Sequence, residues 1–452
     1  MLQACTSLKQ FGMSNSAFIS DLNRVTWGYL VVFILCCGLS MLSGCQASTD
    51  PEVMPIEEVT PFLTGAEVLA RDGFDAMAGM SVGLIVNHTA RVDTMHLGDV
   101  VQGSPNVSLS AFFGPEHGIR GDADAGAEIA DGVDVKTGVP VYSLHGKHKK
   151  PTQASLQELD ALVFDIQDVG ARFYTYISTM GYAMQAAAEA GIPFFVLDRP
   201  NPLGGNYVSG FIRQPDFSSF VGFYPIPVAH GLTVGELARM IKGEAMLEGL
   251  ADLDLRVIEM EGWDRSVKWP ALSRSWRPTS PNIPDFETAL IYLGTCFFEA
   301  VAASEGRGTR MPFKQVGAPW ANSAALIDSL NNFGLDGVSF SSKYFTPESI
   351  VGMSSNPRFK DEVLQGVQIA VTDVDTFDPV STGIHLLYAF YQQAPAQEKA
   401  EFIDQKWMGL LAGTDALREQ IESNLLPTEI IASWQTEIQA FKQQRASYLL
   451  YE

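Results

Sequence analysis

From about residue 62, the chain alternates short apolar runs with helix-like segments, and this alternation restricts its possible folds more than any other feature. The pattern is typical of a parallel, doubly wound sheet with helices on both faces. Strands are predicted for four of the runs: Val82–Val86, Val107–Phe113, Ala161–Ile166 and Phe194–Leu197. A helix is predicted over Tyr176–Ala190. The sequence therefore predicts the α/β class.

Each predicted strand ends in a polar cluster. The clusters are Asn87-His88-Thr89, Gly114-Pro115-Glu116-His117, Gln167-Asp168 and Asp198-Arg199-Pro200-Asn201. The carboxyl ends of parallel strands share one edge of the sheet, and ligands bind at that edge. Helix capping and turn formation would each explain a single cluster. Four clusters that include His and Arg together favour a functional site.

The stretch Phe112–Gly121, FFGPEHGIRG, places Glu116 in a glycine-rich turn directly after an apolar run. Cleavage of a glycoside requires a protonated carboxyl group that donates its proton to the leaving oxygen. A turn on the floor of a cleft can keep such a group away from water, which favours the protonated form. A structural ion pair of Glu116 with Arg120 or His117 is the alternative.

The second group of a glycosidase has four candidates in this sequence: Asp165, Asp168, Asp198 and Glu305. The separation of the two carboxyl groups decides between retention and inversion, and a sequence does not contain that distance. Three arginines in polar, glycine-containing or aromatic contexts are candidates for gripping a substrate carboxylate: Arg172, Arg307 and Arg310. Ion pairs with surface acids are the alternative for each arginine.

Composition and motifs exclude several classes of function. The formal charge of −22 gives a surface that repels nucleic acid. No G-x-G-x-x-G follows the first strand and no P-loop is present, so we expect no cofactor. The histidines His117, His145 and His148 could be metal ligands, but no H-E-x-x-H helix or cysteine pair accompanies them, and the lysines at 147, 149 and 150 would repel a cation. Serine hydrolase chemistry lacks its G-x-S-x-G motif.

The N-terminus has the features of an export signal. An apolar run over 27–42 follows Arg24 and ends in Leu42-Ser43-Gly44-Cys45, which resembles the lipobox of bacterial lipoproteins. We expect residues 1–44 to be a signal peptide, Cys45 to carry lipid and residues 45–61 to form a tether. An ordinary signal peptide or a retained anchor is the alternative. Lipidation predicts a membrane-anchored protein of the cell envelope that faces the periplasm.

A change of pattern near Asp285 predicts a domain boundary, with a first domain over 62–284 and a smaller α/β domain over 285–452. Helical structure is predicted over Thr288–Ala303, and a polar loop with one acid and two arginines follows over Ser304–Arg310. A strand is predicted near Val367–Val371. Further helices are predicted near Ile384–Gln393, Lys399–Gly409, Leu417–Leu425 and Ile430–Leu449. Cys296 lies among apolar neighbours, which indicates a buried, inert thiol.

An ordered set of motifs resembles the exo-β-N-acetylmuramidase family from about residue 62 to the C-terminus. The motifs are NHT (87–89), GPEHGIRG (114–121), DIQDVGARFYTYIS (165–178), LDRPNPLGG (197–205), PIPVAHGLTVGELA (225–238), SPNIP (280–284) and SEGRGT (304–309). The resemblance implies a Rossmann-like domain, a smaller C-terminal α/β domain and a cleft between them. It also implies removal of N-acetylmuramic acid from the non-reducing ends of peptidoglycan fragments.

The catalytic glutamate of that family falls on Glu116. The resemblance, together with the strand-end argument, predicts Asp168 as a second catalytic residue that orients the substrate acetamide. Substrate binding is predicted for Asn87, His117, Arg120, Arg172, Tyr174, Asn201, His230, Asn282, Glu305 and Arg307. Another peptidoglycan hydrolase, acting on amide or ester bonds, and a non-catalytic binder of wall fragments are the alternatives.

Overall fold

The computed structural model describes residues 61–121, 131–146 and 148–452. The predicted signal peptide, Cys45 and all but the last residue of the predicted tether lie outside the described residues. No helix in the described ranges is long and apolar enough to span a bilayer.

Nine strands belong to the first half of the described chain. They are β1 (Ser81–Val86), β2 (Arg91–Val92), β3 (Met95–His96), β4 (Ser108–Gly114), β5 (Gly132–Val133), β6 (Pro140–Ser143), β7 (Ala161–Asp165), β8 (Phe194–Leu197) and β9 (Leu255–Ile258). Strands β2 and β3 form a small hairpin, and the other seven form one sheet in the order β5-β6-β4-β1-β7-β8-β9. All neighbours in this sheet are parallel except β5, which pairs antiparallel with β6.

The order β6-β4-β1-β7-β8-β9 is that of a Rossmann-like doubly wound sheet, so the predicted fold class is confirmed. The chain proceeds from β1 to β4 and β6 on one side, and then returns to β7 on the other side of β1. The crevice between the ends of β1 and β7 is therefore the topological switch point. There the Thr89 Oγ1 atom accepts a hydrogen bond of 3.0 Å from the Gln167 backbone N–H, which joins two of the polar clusters.

The second half of the described chain contains a three-stranded antiparallel sheet. Its strands are β10 (Gln315–Ala318), β11 (Val338–Phe345) and β12 (Leu364–Val371), in the order β10-β12-β11. The sequence pattern predicted only part of β12. Because β11 is largely exposed on both faces, it has too little apolar alternation to be recognised in the sequence. This sheet and the helices around it form the smaller C-terminal α/β domain.

The helices of the described chain are α1 (Gly65–Arg71), α2 (Leu97–Gln102), α3 (Gln153–Leu156), α4 (Tyr176–Ala190), α5 (Val234–Gly243), α6 (Phe286–Thr295), α7 (Ser323–Asn332), α8 (Pro379–Gln393), α9 (Ala396–Lys399), α10 (Gln405–Ala412), α11 (Ala416–Glu422), α12 (Pro427–Ser433) and α13 (Gln435–Arg445). Side-chain caps set several of their starts. Thr64 and Thr233 form capping boxes with Glu67 and Glu236, for example. Helix α4 has the predicted bounds and ends at Gly191, which has a φ of 68°.

Three of the predicted C-terminal helices are interrupted. The stretch predicted over Lys399–Gly409 begins at the last residue of α9 and is non-helical up to Asp404, which caps α10 by accepting from the Trp407 backbone N–H. The stretch predicted over Ile430–Leu449 divides near Trp434 into α12 and α13. The stretch predicted over Thr288–Ala303 is α6 followed by a 3₁₀ helix, Cys296–Ala300.

Apolar side chains cover both faces of the large sheet. Along β1, Ile85 packs into one core, whereas Val82, Leu84 and Val86 pack into a second core on the opposite face. The first core continues into the C-terminal helices as far as Phe441, so both halves of the chain rest on the same buried apolar side chains. Cys296 is buried within it, as predicted.

Candidate active site

A cavity of about 280 Å³ contains Glu116, at the carboxyl edge of the large sheet. We call it the Glu116 cavity. Its walls come from both halves of the chain. The lining residues are Glu116, His117, Phe173, Tyr174, Thr175, Tyr176, Ser280, Tyr292, Glu299, Arg307 and Trp407. Four of the predicted site residues therefore line one cavity: Glu116, His117, Tyr174 and Arg307.

A tight turn after β4 positions Glu116. The Gly118 backbone N–H donates to the Pro115 carbonyl oxygen at 3.0 Å, and two successive residues, His117 and Gly118, have φ values of 73° and 74°. The left-handed region suits glycine but is unfavourable for histidine, and backbone strain of this kind often occurs at functional sites. Buried His117 and half-buried Glu116 are thus held where the strand ends.

Arg307 links two carboxylates in the second half of the chain. Its Nη2 atom lies 2.8 Å from the Glu299 Oε1 atom, and its Nε atom lies 3.4 Å from the Glu305 Oε1 atom. Burial alone would lower the pKa of Arg307, but the two acids outweigh it and hold the pKa above the ordinary value. The guanidinium also lies over the Phe313 ring, 4.9 Å from the ring centre. Arg307 therefore lines the cavity as a fixed cation that already has two anionic partners.

Aromatic side chains form much of the remaining wall. The Tyr174 hydroxyl donates to Thr279 Oγ1, and the Tyr176 hydroxyl donates to the Thr279 carbonyl oxygen, both at 2.8 Å. Their rings pack edge to face, 5.1 Å apart, and Tyr292 packs against Tyr174 at 5.8 Å. Burial raises the pKa of both Tyr174 and Tyr176, so these hydroxyls remain neutral donors. Such a rigid aromatic surface suits the apolar face of a sugar ring.

Asp168 lies at the same sheet edge but not among the residues that line the cavity. Its Oδ2 atom accepts a 2.7 Å hydrogen bond from the Gly170 backbone N–H, and its buried Oδ1 atom has no partner among the described residues. Burial raises the pKa of Asp168 to about 7, although hydrogen bonds from the Gly170 and Val169 backbones oppose the rise. Its catalytic role stays a prediction.

Arg172 is fully buried away from the cavity. Its two terminal nitrogens donate to the carbonyl oxygens of Phe211, Ile226 and Leu411 at 2.7 to 2.8 Å. This arrangement connects distant segments of the chain and leaves the guanidinium out of reach of a ligand in the Glu116 cavity. The structure therefore does not bring Arg172 into the Glu116 cavity, where its predicted contact with a substrate carboxylate would take place.

Arg120 is also engaged elsewhere. Its Nε atom lies 2.7 Å from Asp134 Oδ1, and its Nη2 atom lies 3.0 Å from Asp99 Oδ1. The structure does not give Arg120 the ion pair with Glu116 that the sequence left open, because these two aspartates occupy its guanidinium. It connects the end of the Glu116 turn to α2, which contains Asp99, and to Asp134, which follows β5.

Five other predicted ligands are buried near this edge without lining the cavity: Asn87, Asn201, His230, Asn282 and Glu305. Asn201 and His230 make local turn contacts with the Leu203 and Leu232 backbones. Burial lowers the pKa of His230 to about 3, so this imidazole is neutral at physiological pH. Asn282 Oδ1 has no hydrogen-bond partner among the described residues, whereas the Asn87 side chain lies near the Tyr176 hydroxyl and lowers the pKa of that tyrosine, against the larger rise that burial causes. Their substrate contacts stay predictions.

Three of the cavity residues lie outside every motif that the sequence analysis singled out: Tyr292, Glu299 and Trp407. Glu299 is the most important omission, because it is a second carboxylate in the cavity. It follows Phe297 and Phe298 in an otherwise apolar segment, and an acid in such a segment was the available indication. Glu299 lies in the 3₁₀ helix that follows α6, and its carboxylate contacts Arg307.

Three comparisons with known proteins agree. Family profiles described as the exo-beta-N-acetylmuramidase NamZ N-terminal and C-terminal domains match residues 82–287 and 290–451. A peptidoglycan beta-N-acetylmuramidase NamZ from Bacillus subtilis (strain 168) is 41% identical over 425 residues, which are 93% of this chain and 99% of that protein.

Two crystal structures of DUF1343 family proteins from Bacteroides fragilis NCTC 9343 are also similar. The first is 36% identical in sequence with a TM-score of 0.79, and the match covers 86% of this chain and 99% of the Bacteroides fragilis chain. The second is 33% identical in sequence with a TM-score of 0.72, and the match covers 87% of this chain and 99% of the second Bacteroides fragilis chain. The resemblance predicted from the motifs is confirmed, and the chain belongs to the exo-β-N-acetylmuramidase family of glycoside hydrolases.

Proposed function

We propose that this protein is an exo-acting glycosidase that hydrolyses terminal, non-reducing N-acetylmuramic acid from peptidoglycan fragments, with Glu116 as the general acid. The observation that carries the proposal is the meeting of Glu116 with the Glu299–Arg307 pair in one aromatic-walled cavity. Glycosidases use such a pair of carboxyl groups around the scissile bond. The Bacillus subtilis relative is named as a peptidoglycan beta-N-acetylmuramidase, which agrees with this chemistry.

In the proposed reaction, Glu116 transfers its proton to the glycosidic oxygen as the bond from the anomeric carbon to that oxygen breaks. The leaving sugar departs as an alcohol, and water finally supplies the hydroxyl group of the released muramic acid. A second group must stabilise the positive charge that develops on the sugar ring. Asp168 would do so indirectly, by orienting the 2-acetamido group of the substrate as an internal nucleophile.

Glu299 is a further candidate for the second group, supported by its place in the same cavity. Arg307 and the 3₁₀ helix hold its carboxylate in a defined position, as a nucleophile or a base requires. Asp168 is more deeply buried and has a pKa of about 7, which suits a group that shares a proton with an amide. The two candidates predict different mutational effects.

The test of the general acid is turnover of a chromogenic muramic acid β-glycoside by a Glu116→Gln variant. We expect turnover to fall by about 10²- to 10⁴-fold, because the amide has no proton to donate in this way. Glu158→Gln, at an exposed position outside the cavity, is the matched control and should retain activity. Near-wild-type turnover by Glu116→Gln would contradict the assignment.

The products distinguish the alternatives. Release of free muramic acid from peptidoglycan fragments supports the glycosidase. Release of amino acids or acetate would indicate cleavage of amide or ester bonds instead. Tight binding of fragments without any product from the wild-type protein would indicate a non-catalytic binder.

We also propose that the protein acts in wall turnover as a lipoprotein anchored to a membrane of the cell envelope through Cys45. Support comes from the sequence Leu42-Ser43-Gly44-Cys45 after an apolar segment. Fractionation of cells tests the anchor: the wild-type protein should sediment with membranes, and Cys45→Ala should be lost from them. A wild-type protein found only in the soluble fraction would contradict the anchor.

A further inference from the structure

A second cavity of about 280 Å³ lies at the same edge of the large sheet and shares no lining residue with the Glu116 cavity. We call it the arginine cavity, because Arg91, Arg199, Arg274 and Arg277 line it. Thr89, Gln167 and Arg199, which follow β1, β7 and β8, place it beside the topological switch point. Doubly wound sheets bind ligands in this location.

Two of the four arginines have carboxylate partners. The Arg199 Nη2 atom lies 2.9 Å from Asp165 Oδ2, and the Arg274 Nη1 atom lies 2.6 Å from Glu67 Oε1. Within each pair, the positive and negative charges cancel. The net charge of the cavity is therefore set by the two remaining arginines, Arg91 and Arg277, and by Asp93.

Arg91 and Arg277 have no ion pair among the described residues. Arg91 donates to the carbonyl oxygens of His88 and Thr94, whereas Arg277 is exposed. Burial is the main cause that lowers the pKa of Arg91, and the positive charge of Arg277, which lines the same cavity, lowers it further. Asp93 is the one lining acid outside the pairs. The cavity thus retains an excess positive charge in a protein of formal charge −22.

The same cavity offers groups that suit a sugar. Trp269, half-buried, lines it and can pack against a ring. Gln167 is 4% exposed, and its buried Oε1 atom has no hydrogen-bond partner among the described residues. Buried polar atoms normally have a hydrogen-bond partner, and an ordered water or a ligand hydroxyl would supply one here. The ligand chemistry indicated is an anionic carbohydrate.

One short segment separates the two cavities. Ser275 and Arg277 line the arginine cavity, and Ser280 lines the Glu116 cavity. His88 contacts the Pro278 carbonyl oxygen through its Nε2 atom, and the ring of His88 also lies against Gly121, which follows the Glu116 turn. The chain thus passes within a few residues from the wall of the arginine cavity to the wall of the Glu116 cavity.

We propose that the arginine cavity binds the carboxylate of a second muramyl residue, farther along the glycan whose terminal sugar occupies the Glu116 cavity. The inference rests on the proposed function. Arg91 and Arg277 would receive the lactyl carboxylate, and Trp269 and Gln167 would contact the sugar that bears it. The substrate class is thus a peptidoglycan oligosaccharide with at least two carboxylate-bearing sugars.

The test compares two tetrasaccharides of alternating N-acetylmuramic acid and N-acetylglucosamine, one with both carboxylates and one with the second carboxylate reduced to an alcohol. For the wild-type protein, reduction should raise KM about tenfold and change kcat little, as the loss of a charge-assisted contact predicts. Arg277→Ala should raise KM similarly for the first tetrasaccharide only. Arg277→Lys should recover part of the effect.

Arg256→Ala, at an exposed arginine on β9, is the matched control and should leave every KM unchanged. A chromogenic muramic acid monosaccharide separates this inference from the proposed function. If the wild-type protein does not hydrolyse it, the proposed function fails. If the protein hydrolyses it but reduction of the second carboxylate and Arg277→Ala leave the tetrasaccharide KM unchanged, the arginine cavity does not bind that carboxylate.

Discussion

The Arg307 guanidinium and the Glu299 carboxylate form a 2.8 Å ion pair inside the Glu116 cavity. Arg307 belongs to the predicted polar loop over 304–310, whereas Glu299 lies in a segment predicted to be an apolar helix, over 288–303. Their pairing places a second acid in the cavity and consumes part of the arginine's charge. Recognition of a carboxylate at Arg307 would therefore have to compete with Glu299 and Glu305.

We expect Arg307→Lys to lower kcat/KM on the chromogenic muramic acid glycoside by about 10- to 100-fold. Lysine keeps the charge but loses the planar fork that orients Glu299 and lies over Phe313. Steady-state kinetics would measure the effect. Arg310→Lys, in the same loop but exposed, is the control and should behave like the wild-type protein. Unchanged kinetics for Arg307→Lys would show that the pair does not position Glu299 for catalysis.

Glu299→Gln and Asp168→Asn distinguish the two candidates for the second group. If Glu299 is that group, its variant should lose about 10²- to 10⁴-fold in kcat, with a much smaller loss for Asp168→Asn. If Asp168 orients the acetamide, the order should reverse. Both kcat values should be measured on one glycoside at saturating concentration. Two variants with wild-type kcat would contradict both assignments.

Asp168 should also make stability depend on pH. Its pKa is about 7 in the folded protein, against about 3.9 in the unfolded chain, so the folded state binds the extra proton between these values. Stability therefore falls as pH rises from about 4 to 7, by at most about 1.4 kcal/mol per unit from this group. Asp168→Asn should lack that contribution.

The measurement is the free energy of unfolding of the wild-type protein and of Asp168→Asn in denaturant at pH 5, 6, 7 and 8. The variant should gain stability relative to the wild-type protein up to about pH 7 and show no further gain above it. Other buried acids, such as Asp198, change the free energy of unfolding of both proteins equally. Their contributions therefore cancel in the difference between the variant and the wild-type protein. A difference that is flat between pH 5 and 7 would contradict the assigned pKa.

Arg172→Met should mainly reduce stability. The guanidinium satisfies three buried carbonyl oxygens from distant segments, and its removal would leave them without donors. We expect a loss of about 2–5 kcal/mol in the free energy of unfolding, with the KM for the glycoside nearly unchanged in the fraction that folds. Arg71→Met, at an exposed arginine, should cost far less. A stable Arg172 variant with a strongly raised KM would instead support the predicted carboxylate contact.

Gly383→Ala should separate two helices and disturb the cavity wall. A Cβ atom at Gly383 in α8 would lie 2.4 Å from the Gly294 Cα atom in α6, so the helices would have to move apart. Such overpacking costs about 1–3 kcal/mol. Because α6 carries Tyr292 and leads to Glu299, activity should fall as well.

Thermal unfolding and glycoside turnover, measured on the same Gly383→Ala sample, would test this prediction. Ser381→Ala, two residues earlier in α8, is the control and should alter neither quantity appreciably. An alanine variant with the stability and activity of the wild-type protein would show that the close helix contact is not required.

The sequence by itself determined four of the seven strands of the large sheet (β1, β4, β7 and β8), the bounds of α4 and the place of Glu116 after β4. These features depend on local causes. Apolar runs form buried strands, Gly191 ends a helix in the left-handed region, and Gly114 and Pro115 interrupt a strand whatever lies elsewhere. The ordered motifs also identified the family.

Only the tertiary structure decided which polar side chains share a cavity. Arg172 does not line it, because its guanidinium is bound to carbonyl groups of residues 211, 226 and 411, which are far apart in the chain. Glu299 enters the cavity because a 3₁₀ helix follows α6 and Arg307 lies opposite. The direction of a side chain and its burial are set by contacts between distant segments, which the periodicity of a sequence does not encode.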